Sequence, residues 1–357
     1  MDKQQITEAL KSVKYPGFSR DIVSFGLVRE VRAENRQLEV SLALTTADPE
    51  IPRQLKEEVE AALAKAFPAA EEINVVVAVS RPQQGATPSA PGSEGATPDQ
   101  LGKVRFKIAV ASGKGGVGKS TLAVNLACAI DKVLRERPNT HGVGIMDCDI
   151  YGPSIPLMLG VNERPVIEDN LIQPSENFGI RVMSMGFLVD EETPVIWRGP
   201  MVMKTIQQFA QHVSWKQLDV LLVDLPPGTG DAQLSLVQTI PLDGAIIVTT
   251  PQKAAVDVAR RGARMFDQVN VPLLGVAENM SYLETEPGGP RQFLFGQGGG
   301  HATASALDTA FLGQVPLDPR IREGSDQGVP IVLAAPEAPA STAFMQMARE
   351  LVQKLDV

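Results

Sequence analysis

Four glycines, two lysines and two hydroxyl residues are packed into Gly113-Lys114-Gly115-Gly116-Val117-Gly118-Lys119-Ser120-Thr121. Glycines at this spacing let successive backbone N–H groups turn inward around anionic oxygens. Lys119 supplies a compact positive charge for the β- and γ-phosphates of a nucleotide, and the Ser120 hydroxyl can reach a Mg²⁺ ion. Such a loop needs a strand before it and a helix after it. The apolar run from Phe106 to Ala111 and the helix-like stretch from Leu122 to Ile130 meet that need. The helix N-terminus adds a dipole that favours the anion. The plainer alternative is a glycine-rich turn.

Two further sets of residues could complete that chemistry. The apolar stretch ending in Ile145-Met146-Asp147-Cys148-Asp149 places two carboxylates at a strand end, ahead of Ile150-Tyr151-Gly152-Pro153-Ser154. A carboxylate there can orient an attacking water or hold a water on Mg²⁺. Alternatively, the pair are turn or cap aspartates before Gly152-Pro153. Leu221-Leu222-Val223-Asp224 is a second buried strand ending in an acid, followed by the stiff turn Leu225-Pro226-Pro227-Gly228-Thr229-Gly230-Asp231. Asp224 is placed to hold the Mg²⁺ shell. Gly228 can let backbone N–H approach the γ-phosphate and move when it leaves, and Asp231 is expected to cap the next helix. Lys114 lies outside the minimal loop pattern. It resembles the extra lysine of a deviant subgroup of phosphate-loop NTPases. That resemblance implies a charge supplied in trans, across a dimer interface, to the partner's phosphates; the alternative is a solvated lysine.

Elements must carry these residues. The chain has 357 residues, a net charge of -9 and only two cysteines, Cys128 and Cys148. The length suggests about two domains. An acidic balance does not suit non-specific nucleic-acid or anionic-lipid binding. No apolar run reaches the length of a membrane span, and Met1-Asp2-Lys3-Gln4-Gln5 lacks a signal-peptide pattern. No disulfide framework is available, so a cytoplasmic location is expected. Residues 103–357 alternate strands (near Phe106–Ala111, Val143–Asp147, Ile180–Ser184, Val220–Leu225, Ala245–Thr250, Leu273–Glu278 and Phe311–Val315) with helices, the last near Ala340–Lys354. That order predicts an α/β three-layer fold around a mostly parallel sheet, with ligands at the carboxyl ends of the strands. Residues 81–102 are rich in Pro, Gly, Ser and Ala and read as a flexible linker. Residues 1–80 read as a small α+β docking domain: a helix near Ile6–Val13, strands near Ile22–Val31 and Gln37–Leu44, a helix from Pro52 to Phe67 and a strand over Ile73–Val79.

The three site motifs, together with Trp197-Arg198-Gly199-Pro200-Met201, Glu278-Asn279-Met280-Ser281-Tyr282 and Phe295-Gly296-Gln297-Gly298-Gly299-Gly300, resemble the Mrp/ApbC-type iron–sulfur cluster carrier ATPases. The resemblance covers residues 103–357. The N-terminal unit resembles the PaaD-like domain of iron–sulfur assembly, on Tyr15-Pro16-Gly17, Asp21–Val28 and Ala47–Pro52. It implies a homodimer that binds Mg-ATP, hydrolyses it slowly and passes a cluster to apo iron–sulfur proteins, with neither nucleic acid nor membrane as partner. Lys114, Lys119, Asp149 and Asp224 would be catalytic. Ser120, Asp147, Asp149 and Asp224 would hold Mg²⁺, partly through water. Asn279 matches the adenine-recognising position, and Pro316 and Asp318 would line the base. For Asn279 the alternative is a strand-end residue satisfying local backbone.

One departure stands out. Many members carry Cys-x-x-Cys after Asn-Met-Ser-Tyr, and one pair per subunit clamps the cluster. Here the stretch Leu283–Arg291 has no cysteine. Cys128 reads as a small buried hydrophobe, and Cys148 is too close to the phosphates to hold a cluster. Glu284, Glu286 and His301 offer only oxygen or nitrogen. A partitioning-type nucleotide-switch scaffold without bound cluster is therefore the second reading.

Overall fold

The computed structural model describes residues 28–34, 37–45, 50–68, 70 and 72–80, a few positions before them, and residues 100–357 except 151, 189–198, 229, 286 and 287. Tyr15-Pro16-Gly17, Asp21, Trp197, Arg198 and Glu286 lie outside the described residues. The chain divides into two compact units, Met1–Glu94 and Gly95–Val357.

In the first unit, strands β1 (Val28–Glu34), β2 (Gln37–Thr45) and β3 (Glu72–Ser80) form a sheet in the order β1-β2-β3, with helix α1 (Glu50–Ala66) between β2 and β3. β1 and β2 are antiparallel, whereas β2 and β3 are parallel, as a helical crossover requires. Leu55, Val59 and Leu63 recur at four-residue spacing on α1 and are fully buried with Leu38, Val40, Leu42 and Val75. Among the described residues, the strand expected from Ile22 runs from Val28. Ile22 sits in a turn, its N–H bonded to the Val13 carbonyl at 3.0 Å. The helix expected to reach Val13 has ended before it for the same reason.

The second unit opens with a short helical turn, Leu101–Lys103, whose Leu101 is buried although sequence placed it in the linker. Then come β4 (Val104–Ser112), α2 (Lys119–Arg135), β5 (Val143–Asp147), α3 (Ile155–Met158), β6 (Val166–Glu168), β7 (Leu171–Gln173), β8 (Ser175–Asn177), β9 (Ile180–Ser184), α4 (Gly199–His212), β10 (Leu218–Asp224), α5 (Asp231–Thr239), β11 (Gly244–Thr249) and α6 (Lys253–Gln268). β12 (Leu273–Glu278), β13 (Leu283–Glu284), β14 (Arg291–Gln292), α7 (Gly299–Ala306), β15 (Phe311–Gln314), α8 (Pro319–Gln327), α9 (Ile331–Ala334) and α10 (Pro339–Lys354) complete it. Eight strands form one sheet in the order β15-β12-β11-β4-β10-β5-β9-β8, parallel except for the antiparallel edge strand β8. The expected three-layer α/β fold is present.

The layers follow from the residues. β4, β5, β10 and β11 are apolar on both faces, so each face needs a cover. On one side Leu122, Leu126 and Ile130 of α2 pack with Phe344, Met347 and Leu351 of α10. On the other, Ile206 and Phe209 of α4, Leu236 of α5 and Phe266 of α6 belong to one core with the fully buried Trp215, whose indole N–H bonds the Phe209 carbonyl at 3.1 Å. β4 lies between β10 and β11, so the chain leaves it on one side towards β5 and later returns on the other to β11. Open α/β sheets place their binding crevice at that reversal.

Candidate active site

Parallel register assembles the site. Asp224 ends β10 directly beside Asp147 at the end of β5, and Asp147 lies beside Ser184 at the end of β9. On the other flank Asp224 pairs with Val110 of β4, two residues before Ser112 at the mouth of the glycine loop. Three apolar strands of similar length thus end on polar residues in one row at the carboxyl edge.

The loop runs from Gly113 to Gly118 into α2. Gly116 and Gly118 have φ of +78° and +77°, a region that side-chain-bearing residues rarely enter. Gly113 is required for a different reason: a Cβ there would lie 2.6 Å from the Val258 backbone. Gly118 is the N-cap of α2 and brings no side-chain cap, which leaves the first N–H groups of the helix directed at the cavity. That cavity, ≈190 Å³, is lined by the loop from Lys114 to Thr121, by Asp149 and by Met158 of α3. Val117 tucks under it, 5% exposed.

Beneath the loop is an ionic cluster. Lys119 Nζ lies 2.6 Å from Asp224 Oδ1 as an ion pair. The Ser120 hydroxyl donates to Asp224 Oδ2 at 2.5 Å, and Lys119 Nζ approaches Ser120 Oγ at 3.3 Å. Asp224 is fully buried. Its Oδ1 faces Lys119 off the angle of a hydrogen bond, so among the described residues it is a buried oxygen without an aligned donor. Burial raises the Asp224 pKa above the carboxylate norm, Lys119 and the Ser120 hydroxyl pull it back, and Asp149 adds repulsion.

Asp147 and Asp149 play different parts. Asp147 is wholly buried: Oδ2 accepts from the Ser184 hydroxyl at 2.7 Å and Oδ1 from the Asp149 N–H at 3.1 Å. Burial first, then the charge of Asp224, pushes its pKa up to about 7, against the counter-pull of Ser184, the Asp149 N–H and Lys119. Asp149 lines the cavity. Ser184 is a site residue that sequence reasoning did not single out; its signal was a polar residue closing the apolar strand Ile180–Ser184.

The other expected residues are placed as follows. Lys114 is exposed, and its ammonium has no partner among the described residues. Asn279 is buried: its amide donates to the Val117 carbonyl of the loop at 2.9 Å and its Oδ1 accepts from the Met280 N–H at 2.9 Å. Pro316 and Asp318 line a separate cavity of ≈370 Å³ with Glu284 and Arg320. Asp318 caps α8, taking the Arg320 N–H at 3.0 Å and both arms of its guanidinium. Burial works to raise its pKa, but the bonds from Arg320 outweigh that and hold it low. Gly228, expected to let backbone N–H approach the γ-phosphate, gives its own N–H to the Ser112 carbonyl at 3.1 Å. Asp231 opens α5 but does not cap it; Gly230 occupies the cap position. Glu278, also unsuspected, is fully buried and ties β12 to the start of α7 and to Gln314 of β15.

A loop of free amides, a lysine and hydroxyl beneath it and carboxylates beside it make a phosphate and divalent-cation cradle. Comparison with known proteins agrees. The model of a family described as NUBPL iron-transfer P-loop NTPase matches residues 103–352, and one described as iron–sulfur cluster assembly protein matches residues 3–77. The chain is 41% identical to the iron–sulfur cluster carrier protein of Synechocystis sp., across 99% of this chain and 97% of that one. It is 49% identical to the mouse iron–sulfur cluster transfer protein NUBPL over 71% of this chain and 78% of the other. Among solved structures, an Archaeoglobus fulgidus nucleotide-binding protein in complex with ADP matches with a TM-score of 0.56 and 38% identity, over 64% of this chain and 88% of that one. The cell-division ATPase MinD of Pyrococcus furiosus, at 23% identity and a TM-score of 0.52 (70% of this chain and 99% of that one), shares the fold.

Proposed function

The chain belongs to the NUBPL family of iron-transfer P-loop NTPases, and from that premise we propose that it is a homodimeric Mg-ATPase that drives iron–sulfur cluster delivery to apoproteins. The observation that carries this reading is the Lys119–Asp224–Ser120 cluster at the foot of the loop. ATP phosphates take the N–H groups of the loop and the ammonium of Lys119, which then leaves its ion pair with Asp224.

A Mg²⁺ ion fits the same place. The Ser120 hydroxyl and the Oδ1 of Asp224, held among the described residues only by the Lys119 ion pair, are hard oxygen ligands of the kind the ion takes. When bound, it neutralises charge on the β- and γ-oxygens. Asp149, at the cavity wall, holds or orients water. Asp147, with both oxygens already engaged, positions Asp149 through the backbone bond and acts on the ion only at a distance. Asn279 releases Val117 to meet adenine, and the segment with Pro316 and Asp318 lies along the base. Lys114, exposed and unpartnered, supplies its charge to the partner subunit's phosphates, where a preorganised cation stabilises phosphoryl transfer. Residues 1–80 dock the recipient proteins.

The test separates the two lysines. Lys119→Ala abolishes nucleotide binding in a titration with labelled ATP. Lys114→Ala binds with near-wild-type affinity but loses hydrolysis, by about 10²-fold or more if its in-trans charge matches a removed transition-state donor. Equal loss of binding in both would sink the in-trans assignment. The cysteine-free stretch 283–291 favours the second reading, a switch scaffold that positions partners. Partners captured differently with ATP and ADP, none of them an iron–sulfur protein, would support it instead.

A further inference from the structure

Cluster iron is held by thiolates, usually four, with two imidazoles replacing two of them in one class. The whole sequence contains two cysteines and three histidines. Cys128 is 2% exposed in the middle of α2, inside the core between α2 and α10. Cys148 is 1% exposed; its N–H is given to the Asp224 carbonyl at 2.9 Å, and its thiol faces the Met146 carbonyl. Burial, with Asp131 second, pushes the Cys128 thiol up to about 12. Both thiols are buried, unlike the accessible thiolates that take metal.

The histidines do not compensate. His141 lies just before β5, His212 ends α4, and His301 stacks on Phe311 at 3.8 Å between ring centres. They stand on three separate elements. Among the described residues no three His, Cys, Asp or Glu side chains are grouped to hold a metal ion. The stretch after Ser281-Tyr282 is instead a hairpin of β13 and β14. Arg291 closes it, lying over the Tyr282 ring at 4.1 Å and pairing with Glu284 at 4.0 Å. Thr285 borders the ≈370 Å³ cavity, and Gly288 has open space around it at φ +77°.

We infer that this chain holds no thiolate-ligated cluster at any stage and acts on a cluster that stays on the ligands of its protein partners. Two copies meeting would bring four thiols together in number but not in reach, since each is buried beneath its own sheet or helix. The hand-over is then a ligand exchange without electron transfer. Each acceptor thiol that forms an iron–sulfur bond gives up its proton, and the departing donor thiolate takes one up. Only the hand-over half of this inference rests on the function proposed above.

The experiment incubates the full-length protein anaerobically with ferrous iron and sulfide, with and without Mg-ATP, then desalts it. Iron per chain and visible charge-transfer absorption are read for wild type, a protein-free blank and the variant Thr285→Cys/Gly288→Cys. Wild type is expected to retain no more iron than the blank, and less than about a tenth of what a four-thiolate site in the variant dimer would hold. Wild-type iron above the blank, with cluster absorption that Cys128→Ala or Cys148→Ala removes, overturns the inference, whatever the variant does. A second arm adds a scaffold protein preloaded with cluster and an apo acceptor. Several-fold faster transfer with the chain and Mg-ATP supports the delivery function, and no acceleration sinks that function. The iron measurement by itself decides whether the chain holds a cluster, and the transfer arm decides the hand-over half.

Discussion

At the scale of single residues the site is short of positive charge. Asp147, Asp149 and Asp224 converge on one lysine, and Asp147 and Asp224 are fully buried. The expense falls on Asp147, whose folded-state pKa is pushed to about 7 by burial and then by Asp224, against an unfolded value of 3.8. A carboxyl with a raised folded pKa stabilises the fold fully below its unfolded pKa. It loses that contribution as pH climbs through the folded value. In the nucleotide-free protein this group therefore makes stability fall between about pH 4 and pH 7. Asp147→Asn keeps an oxygen for the Asp149 N–H and replaces the carboxyl with a neutral group. Its denaturant midpoint is expected to fall less steeply across that window than the wild-type midpoint. Parallel pH profiles for the two proteins would remove this account of Asp147. A cation bound beside Asp224 lowers the same pKa, so saturating Mg-ATP should flatten the wild-type profile.

At the scale of elements, what sequence reveals depends on how much burial an element carries. β4, β5, β10, β11 and β12 are continuous apolar runs, and their ends were readable to within about two residues, the usual boundary uncertainty. β6 and β7 were not readable. They are three residues long, and Val166 and Ile167 remain 55% and 75% exposed, so no alternation marks a buried face. Ser184 and Glu278 were missed for another reason: their roles come from register, which sets Ser184 beside Asp147 and Gln314 beside Glu278. The loop, Lys119 and Asp224 were legible because their spacing encodes their chemistry, whereas the Lys119–Asp224 contact needed the strand order. The α2–α10 layer gives a stability test. Phe344 is 1% exposed against α2, and Phe344→Ala is expected to cost about 3–5 kcal/mol, as large-to-small core changes do. Chemical denaturation at constant slope measures it. Because α2 carries Lys119 and Ser120, ATP should restore part of the loss. A cost below about 1 kcal/mol would mean that α10 is not part of the cooperative core.

At the scale of the whole molecule the two units are built separately. The first unit has its own core, with Leu38, Val40, Leu42, Leu55, Val59, Leu63 and Val75 each 2% exposed or less. The second has two cores, one on each face of its sheet. Every residue assigned to phosphate, Mg²⁺ or base lies between Gly113 and Asp318, and none lies before Gly95. A chain reduced to residues 95–357 keeps Leu101 and Val104, which belong to the core on the α4, α5 and α6 side of the sheet. It is therefore expected to bind ATP with unchanged affinity and to unfold in a single transition, since core and site are both intact. Residues 3–77 match a family described as iron–sulfur cluster assembly protein, and the function proposed above gives that removed part the docking of recipients. Cluster transfer to an apo acceptor, measured at acceptor concentrations below saturation, should then drop while ATP turnover without acceptor is unchanged. Adding acceptor in excess should recover part of the rate, because a lost docking contact weakens encounter and leaves the hydrolytic step alone. A truncated chain with full transfer at low acceptor would refute that division of labour. One that fails to bind ATP would show that the second unit needs the first to fold.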